Sequence, residues 1–272
     1  MLKILTLHWN KRDSLVRLKD TLLPSLKNIE YHWLIKDNNS SDGSYEEASK
    51  WGEHITCIKY PNNSQNFSEG MNFLFNEAKT TKDDLILLLN NDVSFTDDQS
   101  IHKMINLLTD NVGIVGAKLL YTGTNKIQHC GVVFTEDRTK QGSPSMPIHL
   151  KRGQEANEDT DKNRYFQACT GAVMLLRASD MHTIGGFDNN LKWAFDDIDL
   201  SLNINKTLKK KIVMCGSTKI FHDESASLKV NPVNKLYLQQ NITYFLKKWH
   251  GKYQSDVMKY LTNSNHNLYV KQ

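Results

Sequence analysis

The sequence predicts an α/β protein built on a mixed, mainly parallel sheet flanked by helices on both faces, and three observations predict it. Strand and helix signals alternate from residue 1 to about 118, the signature of βαβ units. The run Leu85-Ile86-Leu87-Leu88-Leu89 is apolar without alternation, which suits a strand covered on both faces. Polar turns rich in Asp, Asn and Ser follow two strand signals, at Asp37–Ser44 and at Asn90-Asn91-Asp92, where open α/β sheets collect their ligands.

Taken in order, the first strand is predicted at Lys3–Leu7. His8, Trp9, Asn10, Lys11 and Arg12 cut its apolar run off, leaving it too short for a signal peptide or a membrane span. Helical periodicity covers Asp13–Leu26, and a second strand Tyr31–Lys36 leads into the Asp37–Ser44 turn. There Asx and Ser side chains cap backbone donors and Gly43 permits a left-handed or close turn. Tyr45–Trp51 and Glu69–Ala78 read as helices around a strand at Ile55–Tyr60; Leu85–Leu89 and Gly113–Ala117 read as strands around a helix at Ile101–Leu108. Later strands are predicted at Gly131–Phe134, Gly171–Leu176 and Lys211–Cys215. Between them Thr135–Arg164 is polar, carries Gly142, Pro144, Pro147 and Gly153, and keeps no period. It is expected to be a lid or loop, mobile without substrate and involved in acceptor choice. Asn234–Leu261 returns to helical periodicity through Leu236, Leu238, Ile242, Phe245, Leu246 and Trp249, as a packed helix or an interfacial one.

At 272 residues the chain can bury one sizeable core. Its 34 Lys and Arg against 30 Asp and Glu give a net charge of +4, which does not call for nucleic acid. No stretch approaches the 18 or so apolar residues of a membrane span. The four cysteines, Cys57, Cys130, Cys169 and Cys215, have no metal or redox spacing, so a reduced, cytoplasmic protein is expected. Lys209-Lys210-Lys211 reads as a solvated turn or a contact for an anionic lipid surface, and peripheral membrane association follows from the second reading. His129 is expected to be structural, and Cys169-Thr170-Gly171-Ala172 to serve close packing.

Carboxylates at strand ends carry the chemical signal. Asp92 closes the most apolar strand and is a candidate ligand for a metal or a metal-bound phosphate. Asp37 closes the second strand and is placed to accept hydrogen bonds from a nucleotide base or ribose. A further acidic run, Phe195-Asp196-Asp197-Ile198-Asp199, lies late in the chain beside Trp193. Neighbours in a regular element point differently, so only some of its three acids can face one site.

The order of these motifs resembles the family 2 glycosyltransferases of the GT-A fold. It runs through Asp-Asn-x-Ser-x-Asp-Gly-Ser, a strand closing on Asn-x-Asp, Thr-Gly-Ala, Gly-Gly-Phe-Asp and Phe-Asp-Asp-Ile-Asp, from Ile4 to about Ser227. The runs Ile127–Phe134, Ala194–Leu200 and Phe221–Ser227 are similar to a subgroup of O-antigen or rhamnosyl-type transferases. The resemblance implies a Rossmann-like catalytic domain at 1–230, with a nucleotide-binding half at about 1–118 and an acceptor half at about 119–230, followed by a helical extension at 231–272. It implies a nucleoside-diphosphate-sugar donor, UDP or dTDP by expectation, held by Leu7, His8, Asn10, Arg12, Asp37, Asn38, Asn90 and Asn91. Asn90-Asn91-Asp92 occupies the position of an Asp-x-Asp metal motif, with Asn for the first acid. A divalent cation, Mn²⁺ or Mg²⁺, is expected on Asp92 and His222. Asp197 is implied as the catalytic base of an inverting transfer, with Gly186, Phe187, Trp193 and Asp196 on the acceptor side.

The expected function is an inverting, metal-dependent glycosyltransferase that delivers its sugar to a hydroxyl of a glycan or lipid-linked acceptor in bacterial surface polysaccharide synthesis. The alternative is a catalytically weak nucleotide-sugar-binding partner of another transferase, motivated by Asn90. A nucleotidyltransferase is disfavoured because no glycine-rich, basic loop follows the first strand.

Overall fold

The structure, a computed structural model, describes residues 1–61, 66–138, 144–192, 194–223, 232–262 and 268–270. Strands β1 (Leu2–His8), β2 (Tyr31–Asp37), β3 (Ile55–Lys59) and β4 (Leu85–Leu89) alternate with helices α1 (Arg12–Leu22), α2 (Ser44–Ala48) and α3 (Phe67–Glu77). They form a parallel sheet in the order β3-β2-β1-β4, the parallel βαβ arrangement that the alternation predicts. The predicted first helix shortens at its far end, where Leu23–Leu26 tightens into a 3-10 turn around Pro24.

Side-chain alternation explains the unbroken apolar run of β4. Leu87 and Leu89 join Ile4, Trp33 and Ile35 in a core beneath Leu15, Leu18 and Leu22 of α1. Ile86 and Leu88 join Leu5 and Leu34 on the opposite face, against Met71, Leu74 and Phe75 of α3. Each such side chain contributes roughly 1.5–3 kcal/mol on burial, so β4 tolerates no polar residue until its end, and the Asn-Asn-Asp turn begins there.

Beyond β4 the sheet becomes mixed. Strands β5 (Val93–Phe95), β6 (Val112–Tyr121), β7 (Ile127–His129), β10 (Arg164–Phe166), β11 (Val173–Arg177) and β12 (Lys211–His222) extend it, with helix α4 (Ser100–Leu107) between β5 and β6. The order β10-β12-β6-β11 continues onto β4, with β5 on β12 and β7 on β6. Strand β11 runs antiparallel to β4 and β6, while β12 runs parallel to β6 and carries His222 at its end. Helices α5 (Ala178–Ile184) and α6 (Asp196–Leu208) cover this half. Sequence reading missed both helices, because acids and glycines at their ends draw attention to turns rather than to periodicity. Yet Asp196, Asp197 and Asp199 in the first turn of α6 suit a helix N-terminus.

Two expectations are corrected. The stretch Thr135–Arg164 is not simply irregular: β9 (Pro147–His149) pairs with β8 (Val132–Phe134), Glu155 bridges Lys126, and Leu150 is buried. Residues 139–143 of that stretch lie outside the described residues. The lysine run is not simply solvated either, since Lys210 Nζ binds both oxygens of Asp180 at 2.7 and 2.8 Å and Lys211 lies over the ring of Tyr165.

The C-terminal periodicity divides into α7 (Pro232–Trp249) and α8 (Val257–Leu261), separated at Gly251 with φ 75°. Phe245, Trp249 and Tyr253 pack against Ile198 and Leu202 of α6 and Val132 and Phe134 of β8. Among the described residues no helix is long and apolar enough to cross a membrane.

Candidate active site

The ends of β1 and β2 bring His8 and Asp37 side by side as cross-strand partners. Asn91, just past β4, donates from Nδ2 to His8 Nδ1 at 2.8 Å, so the ring hydrogen sits on Nε2. His8 is 1% exposed. Burial pulls its pKa down to about 4 against the opposing pull of Asp37 and Asp42, which keeps the ring neutral near pH 7. Asp37 Oδ1 accepts the Ser40 amide at 2.8 Å. Among the described residues, His8 Nε2 and Asp37 Oδ2 are buried without a partner. An unpaired buried polar atom costs about 1–3 kcal/mol, and these two lie at the carboxyl ends of neighbouring parallel strands, where sheets of this kind collect their ligands.

The surrounding loops are laced together. Asn10 donates its amide to Ser40 Oγ at 2.8 Å and accepts the Ser41 amide at 3.0 Å. The Arg12 amide reaches Asp42 at 2.8 Å and its guanidinium binds Glu47 at 2.9 Å. Asn10 and Lys11 both adopt positive φ, 54° and 62°, a strained conformation that this lacing holds in place. Asn38 contacts Lys36 Nζ. The Leu7 side chain turns the other way, packing where a side chain on Gly70 would clash. Trp9, which sequence reading registered only as the end of an apolar run, presents a 53% exposed indole at the same strand end.

Asp92 and His222 meet from opposite sides of the chain: β5 follows Asp92 and pairs with the end of β12, and the Asp223 amide donates to the Asp92 carbonyl at 3.0 Å. His222 Nε2 stands 3.1 Å from Asp92 Oδ1 and 3.4 Å from Asn90 Nδ2. Two bonds of about 2.1 Å at right angles span about 3 Å, so the carboxylate and imidazole fit a divalent cation held by both. Among the described residues no cluster of three or more His, Cys, Asp or Glu side chains is arranged around a metal position. The remaining positions would therefore fall to diphosphate oxygens and water.

The three acids of the late motif have separate fates because they occupy the first turn of α6. Asp196 is buried, and desolvation together with neighbouring Asp197 pushes it well above the usual carboxylate range. Asp197 is half-buried, with Oδ2 accepting the Gly171 amide at 2.9 Å and Oδ1 the Ile198 amide at 2.8 Å. Asp199 turns away to the C-terminal helix, where Trp249 Nε1 donates to it at 2.6 Å and Lys248 Nζ lies 2.8 Å off.

Gly171 was expected chiefly to serve close packing, with its stretch bordering the donor sugar by resemblance; Phe187 was expected on the acceptor side, and Phe67 was not singled out. A side chain on Gly171 would stand 3.3 Å from Asp197 Cβ and 3.6 Å from Phe67. Phe67 in turn meets Phe187 edge-on at 5.6 Å. The Phe187 ring is buried, so it shapes this wall from behind, and Gly186 leaves room for Asn72, whose Oδ1 accepts the Phe187 amide at 2.8 Å. Trp193 lies outside the described residues.

Comparisons with known proteins bear on the family and the fold. The family model described as glycosyl transferase family 2 matches residues 4–179. An O-antigen biosynthesis protein RfbC of Myxococcus xanthus is 26% identical over 231 residues, 82% of this chain but only 17% of that relative's length. Among solved structures, GalNAc-T7 with UDP, GalNAc and Mn²⁺ aligns with a TM-score of 0.65 at 12% identity, over 99% of this chain and 55% of that one. Mannosyltransferase PcManGT of Pyrobaculum calidifontis with GDP-Man and Mn²⁺ aligns at 0.60 and 10% identity, over 96% and 68%. S. aureus TarS with UDP-GlcNAc aligns at 0.58 and 9% identity, over 96% and 71%. At such identities the likeness to these structures shows the fold alone, which is GT-A.

Proposed function

The chain belongs to glycosyl transferase family 2, and from that premise we propose that it moves a sugar from a nucleoside diphosphate to a hydroxyl of a glycan or lipid-linked acceptor, with inversion. The observation that carries the proposal is the pair of unpartnered buried atoms, His8 Nε2 and Asp37 Oδ2, at neighbouring strand ends. One is a neutral donor and the other an acceptor. Uracil and thymine present the complement, an imide N–H beside a carbonyl, and guanine presents it too, so the pair suits a UDP, dTDP or GDP donor better than a CDP one. The exposed indole of Trp9 offers a flat face for the base. Asn91 supports this pocket from behind by holding the His8 ring.

In this reading residues 1 to about 118 hold the donor, 119–230 shape the acceptor side and 231–272 brace it. Asp92 and His222 hold Mn²⁺ or Mg²⁺. When bound, the cation neutralises charge on the departing diphosphate. Asp197 takes the proton of the acceptor hydroxyl. Its position supports that role, because it is the half-buried carboxylate of the three and two backbone amides fix its orientation. Burial and the neighbouring Asp197 push the carboxyl of Asp196 up, which sets it apart from Asp197. Phe67, backed by Phe187, lines the approach, with Gly186 beside it on the acceptor side. The likeness to an O-antigen biosynthesis protein supports a surface-polysaccharide acceptor.

A second reading, a nucleotide-sugar-binding partner with little activity of its own, draws on Asn90 in place of a carboxylate. Calorimetric titration with UDP, dTDP, GDP and CDP, each with and without Mn²⁺, followed by product analysis with the sugar nucleotide of the base that binds, separates the two. Metal-dependent binding with release of free nucleoside diphosphate in the presence of a glycan acceptor supports the transferase. Binding without release supports the partner, and pyrophosphate release would point to nucleotidyl transfer.

A further inference from the structure

Gln128 lies on β7, nearly 100 residues before His222 in the chain, and its buried side-chain amide grips that histidine twice. Its Nε2 donates to the His222 carbonyl at 3.0 Å, and its Oε1 lies 2.5 Å from His222 Nδ1. The two contacts fix each other. A backbone carbonyl only accepts, so the amide nitrogen must face it; the amide oxygen that remains also only accepts, so Nδ1 must carry the ring hydrogen. Nε2, facing Asp92 Oδ1 at 3.1 Å, is then the nitrogen left for a cation, which would take the place of the hydrogen that Nε2 shares with that carboxylate while Nδ1 keeps its own on Gln128.

We infer that Gln128 is a positioning residue for the cation site: it locks His222 in the Nδ1–H form and holds the end of β12 so that the Nε2 lone pair points at the metal position beside Asp92. The inference rests on the reading of Asp92 and His222 as metal ligands. A partner behind a metal-binding imidazole sets its tautomer and ring orientation, and its loss costs about 10–100-fold in metal affinity. Here the backing group is a neutral amide and Asn90 replaces a carboxylate in front. Among the described residues gathered at the cation position, Asp92 then brings the one negative charge, so the orientation of the imidazole carries a large share of the affinity.

The test uses the full chain, the variants Gln128→Leu, Gln128→Glu and His222→Ala, and Mn²⁺ as the probe. Long-range proton–nitrogen spectra of histidine-labelled protein report the His222 tautomer, with the signals assigned by their loss in His222→Ala. Free Mn²⁺ counted by electron paramagnetic resonance gives the affinity. The parent protein should show a hydrogen held on Nδ1. Gln128→Leu should lose that preference and bind Mn²⁺ about 10–100-fold more weakly. Gln128→Glu, which keeps an acceptor against Nδ1, should recover most of the affinity. A parent His222 protonated on Nε2 instead would overturn the inference, and this measurement stands even if Gln128→Leu does not fold. Unchanged Mn²⁺ affinity in Gln128→Leu, with affinity lost in His222→Ala, would overturn it too while leaving the metal site intact. If His222→Ala also bound Mn²⁺ like the parent, the metal site itself would fall and the inference with it.

Discussion

The amide of Gly171 donates to Oδ2 of Asp197 at 2.9 Å, joining the turn that enters β11 to the first turn of α6. A residue with a side chain at 171 would press on Asp197 Cβ at 3.3 Å. The glycine thus lets the backbone approach the carboxylate closely enough to orient it. Both residues lie in stretches that a reader of the sequence treats separately.

Asp197→Asn keeps the shape of the carboxylate and removes its basicity. Turnover should fall by about 10²–10⁴-fold, with donor-nucleotide affinity unchanged, as measured by steady-state kinetics and calorimetry. Turnover within a few-fold of the parent would remove Asp197 from the role of base.

Trp249→Phe separates bracing from chemistry. The change deletes a buried donor to Asp199 and should cost about 1.5–3 kcal/mol, read as a melting temperature lower by several degrees. Nucleotide affinity should not change, because Asp199 faces α7 rather than the strand ends. An unaltered melting temperature would show that α7 does not depend on this contact.

His8 makes stability depend on pH. Its pKa is about 4 in the folded chain against an ordinary 6.5 for histidine, so between those values the unfolded chain binds the extra proton. Stability from this group is fully present above pH 6.5 and declines as pH falls toward 4, by up to about 3 kcal/mol. Denaturant titrations at pH 7 and pH 4.5 should show a smaller loss in His8→Gln than in the parent. Equal losses would mean that His8 is not held neutral by burial.

Asn90→Asp restores a carboxylate 3.4 Å from the His222 ring position. Mn²⁺ should bind roughly tenfold more tightly, the gain expected from one added charge on a hard-cation site. Weaker or unchanged Mn²⁺ binding would argue that position 90 faces the nucleotide rather than the metal.

The parallel half of the fold was legible because its signals are local. Side-chain alternation in β1, β2 and β4, with helical periods between, determines which faces are buried, and the polar turns mark where each strand ends. Asp37 and Asp92 could be located at strand ends by the same logic, and the family resemblance followed from the motif order. The later half resisted local reading. Strand β9 is only Pro147–His149 and β10 only Arg164–Phe166, too short to carry a period, and each is stabilised by partners distant in sequence. Which acid of Asp196, Asp197 and Asp199 meets which neighbour depends on where α6 begins and on the docking of α7. Gln128 and His222 likewise come together only because β7 and β12 both pair with β6. The sequence by itself determined the parallel half of the sheet, its layers and the acids at its strand ends, since these follow from burial along one segment. Only the tertiary structure decided the later strands and the partners, burial and proton positions of the site, since those depend on contacts between distant segments, as far apart as the 206 residues between Arg17 and Asp223.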